Sequence, residues 1–271
     1  NGNLMMNFYN LKTRTWTQRQ NAFINGEGAR NAYWQMCVDS RGMLHLSWVW
    51  RESGDVATNH DMAYAKSADG GRSWQKSTGE AYELPITAAN AEYAARIPQN
   101  HELSNTTSMY ADAQGRPYIA AYFRPPGEQA PQYHLIYRDG KAWLISQISR
   151  RTTPFTLSGG GTKRIPISRP QIVVRPDGTA RRAYLLFRDS ERGSRVSVGI
   201  CKDLQKESWS FMDLTDFSVG MWEPSFDTEL WKKKHLMHIF IQMTGQGDGE
   251  RTENIPPQMV SVLEWNPNEE L

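Results

Sequence analysis

Five tryptophans recur along this sequence at similar intervals. Neighbouring members of the set are 56 to 69 residues apart, and they are Trp16, Trp74, Trp143, Trp209 and Trp265. Each interval holds two pairs of short alternating apolar segments, and each pair is joined by a turn with Asp, Gly or Asn, which is the pattern of four β-strands. A four-stranded unit that repeats along a chain is typical of β-propeller blades. The sequence therefore predicts an all-β protein, a β-propeller with four-stranded blades.

The blade boundaries follow from the same pattern. We place complete blades at residues 29–74, 100–143, 165–209 and 220–265, and half a blade at 1–16, within a single propeller domain of residues 1–271. The long connections 76–106 and 149–168 are expected on the faces, where propellers meet ligands. A propeller closes on itself to remove its edge strands. Four and a half blades therefore predict a larger ring whose first blades lie before Asn1.

Composition excludes several functions. The 31 Lys and Arg residues nearly balance the 29 Asp and Glu residues, and no basic run is present, so we predict no nucleic-acid partner. No run of 18 apolar residues is present, so no membrane span is predicted. Cys37 and Cys201 lie far apart in apolar segments, which favours two buried thiols over a disulfide. The 10 Trp and 11 Tyr suit a β-rich protein and also stacking on sugar rings.

Metal and cofactor sites are not predicted. The sequence has no Cys/His cluster with metal-ligand spacing. A structural Ca²⁺ held by scattered Asp side chains and carbonyls stays open, because the sequence does not place one.

One turn matches the S-x-D-x-G-x-x-W pattern of the Asp box through Ser67, Asp69, Gly71 and Trp74. In such a turn the Asp accepts backbone N–H groups, the Gly allows a left-handed conformation, and the Trp packs beneath. We interpret this turn as structural and typical of sialidase-type blades.

The polar segment 51–61 is the strongest functional candidate. It is too polar for a core, and it contains Arg51, Asn59 and His60. An arginine binds a carboxylate or a sulfate through two parallel hydrogen bonds, and a histidine transfers protons or binds a hydroxyl. The alternative interpretation is a solvated loop with internal salt bridges.

Four other residues are candidates for substrate binding. His101 lies in a polar loop, His134 and Tyr133 begin a strand, and Arg169 opens another strand and is expected to point into the central channel. For Tyr133 a structural role is the favoured interpretation.

Several short motifs occur in a defined order in the first half of the chain. They are Asn1-Gly-Asn3, Gly26-Glu-Gly28, Trp48-x-Trp50-Arg51 and Asn59-His60-Asp61. Over about residues 1–145 this series resembles the BNR-repeat-containing propeller family, which includes ulvan lyases and rhamnose–glucuronate lyases. The resemblance implies a seven-bladed propeller with a deep cleft.

The resemblance also implies a chemistry. The family's lyases cleave uronic-acid-containing glycans by β-elimination: an Arg neutralises the carboxylate, a Tyr or His removes the C5 proton, and the C4 oxygen leaves. Their His pair and Tyr–Arg pair have no match in this chain, so the main catalytic set is expected upstream of Asn1. By the same resemblance Arg51 and Asn59 would face the substrate, and His60 would assist catalysis or bind the sugar.

The sequence therefore predicts a polysaccharide lyase that acts on a uronic-acid-containing glycan. One alternative is a glycoside hydrolase of sialidase or rhamnosidase type, for which Arg51, Arg169 and Glu223 are possible parts. Another alternative is a non-catalytic sugar-binding propeller. The expected partner is an acidic polysaccharide or oligosaccharide, a monomer is expected, and the resemblance implies a secreted or periplasmic location.

Overall fold

The computed structural model describes residues 2–105, 107–251 and 253–269, and its regular structure is mainly β-strand. The strands are β1 (Leu4–Asn10), β2 (Thr15–Ile24), β3 (Asn31–Val38), β4 (Leu44–Arg51), β5 (Asn59–Ser67), β6 (Glu92–Ala95), β7 (Ser108–Ala111), β8 (Pro117–Phe123), β9 (Gln132–Asp139), β10 (Ala142–Gln147), β11 (Gln171–Asp177), β12 (Ala180–Phe187), β13 (Ser197–Cys201), β14 (Trp209–Asp213), β15 (Ser225–Phe226), β16 (Met237–Ile241) and β17 (Ser261–Trp265). One α-helix, α1 (Thr228–Lys234), and two 3₁₀ turns, Val56–Thr58 and Ser190–Arg192, complete the described elements.

The strands form a series of antiparallel sheets in chain order. Three sheets have four strands each, β3–β6, β7–β10 and β11–β14, and they are flanked by the hairpin β1–β2 and the three-stranded sheet β15–β17. Strand β3 packs against β7, and β7 packs against β11, so the first strands of successive sheets are neighbours. Sheets that stand face to face with their first strands together are blades around an axis. The predicted all-β propeller with four-stranded blades is confirmed.

Apolar side chains fill the spaces between successive sheets. Strand β8 shows the arrangement, because Tyr118 and Tyr122 pack towards the sheet β11–β14 while Ile119 and Phe123 pack towards the sheet β3–β6. Similar layers lie on the outer sides of these sheets, against the β1–β2 hairpin and against β15–β17. The middle strands are buried on both faces, which explains why they are continuous apolar runs.

The first four-stranded sheet extends further than the sequence predicted. The proposed blade ended at Trp74, but its fourth strand is β6, which lies inside the predicted connection 76–106. Trp74 follows the third strand, whereas Trp143 and Trp209 lie in the fourth strands β10 and β14. The even spacing therefore indicates the series of sheets, although the tryptophans are not equivalent positions.

The last sheet also differs from the prediction. Three described strands form it where four were expected, and helix α1 lies between β15 and β16. Asp227 caps the helix by accepting hydrogen bonds from the backbone N–H groups of Glu229 and Leu230. Trp231 on this helix is buried in the last apolar layer.

The turn at residues 67–74 is held by one carboxylate. Asp69 Oδ1 accepts hydrogen bonds from the backbone N–H of Arg72 at 2.9 Å and of Ser73 at 3.0 Å. These N–H groups, with the Ser73 and Ser67 hydroxyls, hold the pKa of Asp69 well below its usual value. Trp74 is buried and donates from Nε1 to the Gly71 carbonyl at 3.2 Å. All of these contacts are structural.

Both cysteines are free thiols; Cys201 is buried as predicted, whereas Cys37 is only half-buried. No helix in the described ranges is long and apolar enough to cross a membrane.

Candidate functional site

Residues from four sheets meet in one pocket of about 320 Å³. In a meander of strands, the end of the second strand and the start of the first strand lie at the same edge of the sheet. Arg51 ends β4, Arg188 follows β12, Arg169 precedes β11 and Glu223 precedes β15, so all four lie at this edge. The described residues that line the pocket are Arg51, Val56, Ser104, Asn105, Tyr122, Leu157, Gly161, Thr162, Lys163, Ile165, Arg169, Arg188, Met221, Glu223, Gln246 and Glu250.

Arg51 is buried, with 8% of the residue exposed. Its guanidinium donates to the backbone carbonyls of Ser53, at 3.0 Å, and of Gly54, and to the Tyr33 hydroxyl at 3.4 Å. No ion pair to Arg51 is found within the described residues. Its guanidinium is therefore fixed in place by uncharged acceptors, although Asp55 lies near enough for Arg51 to contribute to the lowered pKa of that carboxyl.

Arg188 has the same kind of environment and is only 1% exposed. It donates to the carbonyls of Trp222 at 3.0 Å, Pro166 at 3.1 Å and Ile165 at 3.2 Å. Burial lowers its pKa from the usual arginine value, although nearby groups that include Glu223 oppose this shift. Within the described chain, no carboxylate forms an ion pair with Arg188.

The remaining charged groups leave the pocket positive. Arg169 is paired with Glu223 at 3.1 Å, and both side chains are more than 40% exposed. Glu250 accepts hydrogen bonds from the backbone and hydroxyl of Thr162, while half-buried Lys163 forms no ion pair in the described chain. Four cationic side chains thus face two carboxylates. The chemistry of this set suits an anion.

Tyr122 adds a phenol to the pocket wall. Its ring is buried against Tyr133 and Phe155, and among the described residues no hydrogen bond engages its hydroxyl. Burial raises the pKa of Tyr122, and the negative charge of Glu223 acts in the same direction. A phenol with an ordinary or raised pKa is protonated near neutral pH, so Tyr122 is able to donate a proton.

His60, the predicted catalytic residue, does not line the pocket. Its Nε2 lies 2.7 Å from Glu52 Oε1, and its Nδ1 lies 3.2 Å from Asp61 Oδ2. The hydrogen bond to Asp61 raises the pKa of His60, burial opposes the rise, and the bond to Glu52 supports it. Arg30 and Arg96 pair with the same two carboxylates. This network favours a structural ion cluster, which was the alternative interpretation of segment 51–61.

Asn59 and His101 support loops near the pocket edge. The Asn59 amide donates from Nδ2 to the Leu103 carbonyl at 2.8 Å, and its Oδ1 is buried without a partner in the described chain. His101 donates from Nδ1 to the Arg124 carbonyl at 2.7 Å. Neither residue lines the pocket, and their predicted contact with substrate stays a prediction.

Tyr133 and His134 are buried in the apolar layers. The Tyr133 hydroxyl lies 2.8 Å from the Ser168 carbonyl and 3.1 Å from the Arg188 carbonyl, so it holds the backbone on which Arg169 and Arg188 are placed. The His134 ring stacks on Phe123 with 3.7 Å between the ring centroids. Burial lowers the pKa of His134 to about 4, so this histidine is neutral at pH 7.

Sequence reasoning found Arg51, Arg169 and Glu223, and the structure brings these three together. It missed Arg188 and Tyr122. A signal for Arg188 is present, because an aromatic residue followed by Arg ends the second strand of three consecutive sheets. These dipeptides are Trp50-Arg51, Phe123-Arg124 and Phe187-Arg188. Tyr122 has no such signal, since it belongs to a continuous apolar run.

Other surface sites among the described residues offer fewer unpaired charged or reactive side chains. A larger, shallower groove of about 640 Å³ lies between β14 and the last sheet, and its arginine, Arg195, is paired with Asp213 at 3.4 Å. No group of three or more His, Cys, Asp or Glu side chains in the described ranges is placed to hold a metal ion.

Comparison with known proteins identifies the family. Residues 1–151, more than half of the chain, match the sequence model of the BNR repeat-containing family. The chain belongs to this family. A search of curated proteins found no match.

Solved structures similar to this BNR repeat-containing protein include two polysaccharide lyases. A PL25 ulvan lyase bound to -[GlcA(1-4)Rha3S]- is 14% identical with a TM-score of 0.62, and the alignment covers 98% of this chain and 61% of the lyase. The polysaccharide lyase Uly1 is 13% identical with a TM-score of 0.58, and the alignment covers 96% of this chain and 52% of the lyase. The chain thus spans between half and two thirds of the length of these lyases. At this identity the likeness shows a shared propeller fold.

Proposed function

We propose that this BNR repeat-containing protein is a carbohydrate-active enzyme, a polysaccharide lyase that cleaves a uronic-acid-containing glycan by β-elimination. One observation carries the proposal: Arg51 and Arg188 are buried guanidinium groups at one pocket, and within the described residues neither has a carboxylate partner. Buried charges in proteins are normally paired, so an unpaired guanidinium in a pocket wall favours an anionic ligand. A sugar carboxylate supplies that charge and fits the planar fork of an arginine.

The proposed chemistry follows from the charges. A base removes the proton at C5 of the uronate, a C4=C5 double bond forms, and the bond from C4 to the leaving oxygen breaks. When C5 loses its proton, negative charge develops on the adjacent carboxylate group, and Arg51 or Arg188 stabilises that charge. Tyr122 borders the pocket, its phenol is protonated at neutral pH, and no hydrogen bond among the described residues engages its hydroxyl, so we assign it to proton donation to the leaving oxygen. No histidine is among the described residues that line the pocket, and Tyr122 is assigned to the leaving oxygen, so we assign the proton at C5 to a base outside this lining set.

A glycoside hydrolase is the second candidate. Tyr122 and Glu223 border the same pocket as Arg51, Arg169 and Arg188, and a phenol with a carboxylate beside an arginine cluster also suits attack at an anomeric carbon. The products separate the two functions. A lyase releases unsaturated uronate that absorbs ultraviolet light, whereas a hydrolase releases a free monosaccharide without unsaturation.

Binding tests the observation directly. Arg51→Met removes a charged hydrogen-bonding group, so we expect the affinity for glucuronate oligosaccharides to fall about 10- to 100-fold. Affinity for neutral oligosaccharides should stay unchanged, as measured by calorimetry. Arg124→Met is the matched control, because Arg124 occupies the equivalent strand end but pairs with Glu102 and does not line the pocket.

Because Arg51 is buried, its replacement also affects the stability of the fold, so thermal unfolding of Arg51→Met is measured alongside binding. Lys163→Ala changes a half-buried pocket residue without an ion pair among the described residues, and it should also weaken glucuronate binding. Equal losses for acidic and neutral sugars would contradict an anion-binding pocket. Absence of unsaturated product across a panel of acidic glycans would overturn the lyase assignment.

A further inference from the structure

One loop in the connection between β10 and β11 forms a wall of the pocket. We call residues 157–165 the strap. Leu157, Gly161, Thr162, Lys163 and Ile165 of the strap line the pocket. Gly159 and Gly161 have φ angles of +74° and +73°, a conformation that glycine adopts without steric cost. These two glycines therefore allow the backbone of the strap to turn tightly within a few residues.

The strap is fastened on one side to the connection between β4 and β5. The backbone N–H of Gly159 donates to Asp55 Oδ1 at 2.6 Å, and the backbone N–H of Val56 donates to the Gly159 carbonyl at 3.0 Å. These bonds lie within a few residues of Arg51. Asp55 itself does not line the pocket.

On the other side the strap is fastened to the connection between β16 and β17. Glu250 Oε1 accepts hydrogen bonds from the Thr162 backbone at 2.7 Å and from its hydroxyl at 2.8 Å. The backbone N–H of Gly249 donates to the Thr162 carbonyl at 2.9 Å, and that of Arg164 donates to Asp248 Oδ1 at 2.6 Å. Bonds to both ends fix the strap in place.

The two anchoring connections belong to sheets that are not neighbours. The sheets β7–β10 and β11–β14 stand between β3–β6 and β15–β17 in chain order, so the strap joins the first and last of these four sheets. Its anchors beside Val56 and at Glu250 both border the pocket. The strap therefore spans the pocket wall from one border to the other.

We propose that the strap closes this side of the pocket, so that the pocket takes the end of an acidic glycan chain and not an internal segment. The inference rests on the proposed function and narrows its substrate to chain ends and short acidic oligosaccharides. A closed pocket contacts only the terminal sugars, so affinity stops increasing once these subsites are filled. An open groove gains contacts with each added sugar.

Oligomers of glucuronic acid from the dimer to the octamer test the inference by calorimetry. For the wild type we expect affinity to level off by the tetramer. Asp55→Ala and Glu250→Ala each release one end of the strap, so their affinity should rise at least about fivefold from tetramer to octamer. Loss of the Glu250 charge strengthens anion binding at every length alike, and the slope with length is therefore the readout. Glu80→Ala removes an exposed carboxylate that pairs with Lys76, and it serves as the control.

Three results would overturn the strap inference or the proposed function. A wild-type affinity that rises steadily to the octamer overturns the strap inference and leaves acidic-glycan recognition standing. A plateau that persists in both released variants, with thermal unfolding unchanged, shows that the strap does not close the pocket and also overturns the inference. No binding of any glucuronic acid oligomer overturns the proposed function, and the inference with it.

Discussion

Three arginines end or follow the second strands of successive sheets, and they differ in one respect. Arg124 pairs with Glu102 at 2.8 Å, so its charge is neutralised. Arg51 and Arg188 are held by carbonyl oxygens, and among the described residues no carboxylate pairs with either. Carbonyl groups satisfy the N–H donors but leave the positive charge in place. The same strand-end position thus stabilises a loop in one sheet and supplies charge to a pocket in two others.

The charge state of His60 gives the fold a pH dependence. The pKa of His60 is raised, and the pKa values of Glu52 and Asp61 are lowered by hydrogen bonds that outweigh the effect of burial. A histidine with a raised folded-state pKa stabilises the fold fully below its unfolded value of about 6.5 and loses that contribution as the pH rises through the folded value. The two carboxylates contribute above their unfolded values of about 4 and lose this contribution as the pH falls.

We therefore expect His60→Gln to be destabilising at pH 6 and less so at pH 8.5, with a difference of about 1 kcal/mol in the free energy of unfolding. Urea denaturation at a series of pH values measures it. His101→Gln is the control, because His101 bonds to a carbonyl and not to a carboxylate. A constant effect of His60→Gln between pH 6 and 8.5 would show that the imidazolium does not stabilise the cluster.

At the scale of elements, the turn at residues 67–74 connects a blade to the β1–β2 hairpin. Gly71 has a φ angle of +84°, and a Cβ atom there would lie 2.7 Å from Met6 Sδ and 3.4 Å from the Phe8 ring. Gly71→Ala therefore combines the cost of a left-handed alanine, about 1–2 kcal/mol, with a smaller cost for displacing the flexible end of the Met6 side chain and tightening the contact with Phe8. We expect the free energy of unfolding, measured by urea denaturation, to fall by about 1.5–2.5 kcal/mol.

Gly70 provides a matched control for this prediction. Its φ angle is +71°, and a Cβ atom there would meet only the end of the Arg72 side chain, at 3.9 Å. Gly70→Ala should show the conformational cost alone, about 1–2 kcal/mol. If both substitutions destabilise the protein equally, the hairpin does not pack tightly on this turn.

The elements were more predictable from the sequence than the site. Asp/Gly turns and alternating apolar segments predict the strands because both depend on residues that are close together in sequence. The short strand β6 was missed because the four residues Glu92–Ala95 show no clear alternation of polar and apolar side chains. Helix α1 was missed because its seven residues are too few for helical periodicity.

The pocket was predicted only in part because it depends on contacts distant in sequence. Arg51 was found from the polar residues around it, but His60 in the same segment bonds to Glu52 and Asp61 outside the pocket. Arg188 and Tyr122 lie in or beside apolar runs that read as core. Only the arrangement of successive sheets brings these side chains to the same edge.

At the scale of the whole molecule, the charge of the pocket is local. The chain carries a net charge of only +2, with 31 basic and 29 acidic residues. Of the charged residues in the pocket wall, four are basic and two are acidic. Binding of an acidic glycan should therefore depend on individual pocket residues more than on the overall field of the protein.

The dependence on salt concentration distinguishes the contributions of Arg51 and Lys163 to glucuronate affinity. The screening length is about 10 Å at 0.1 M salt and about 3 Å at 1 M, and buried charges are screened less than exposed ones. Arg51 is 8% exposed and fixed by three hydrogen-bond acceptors, while Lys163 is half-buried on the strap and forms no ion pair in the described chain.

We expect the loss of glucuronate affinity caused by Lys163→Ala to disappear between 0.1 M and 1 M NaCl. The loss caused by Arg51→Met should persist, because direct hydrogen bonds to a carboxylate in a buried site do not depend on long-range attraction. Calorimetric titration of both variants at several salt concentrations measures the two effects. If both losses vanish together at high salt, Arg51 attracts the glycan only through its field, and direct contact with the carboxylate is excluded.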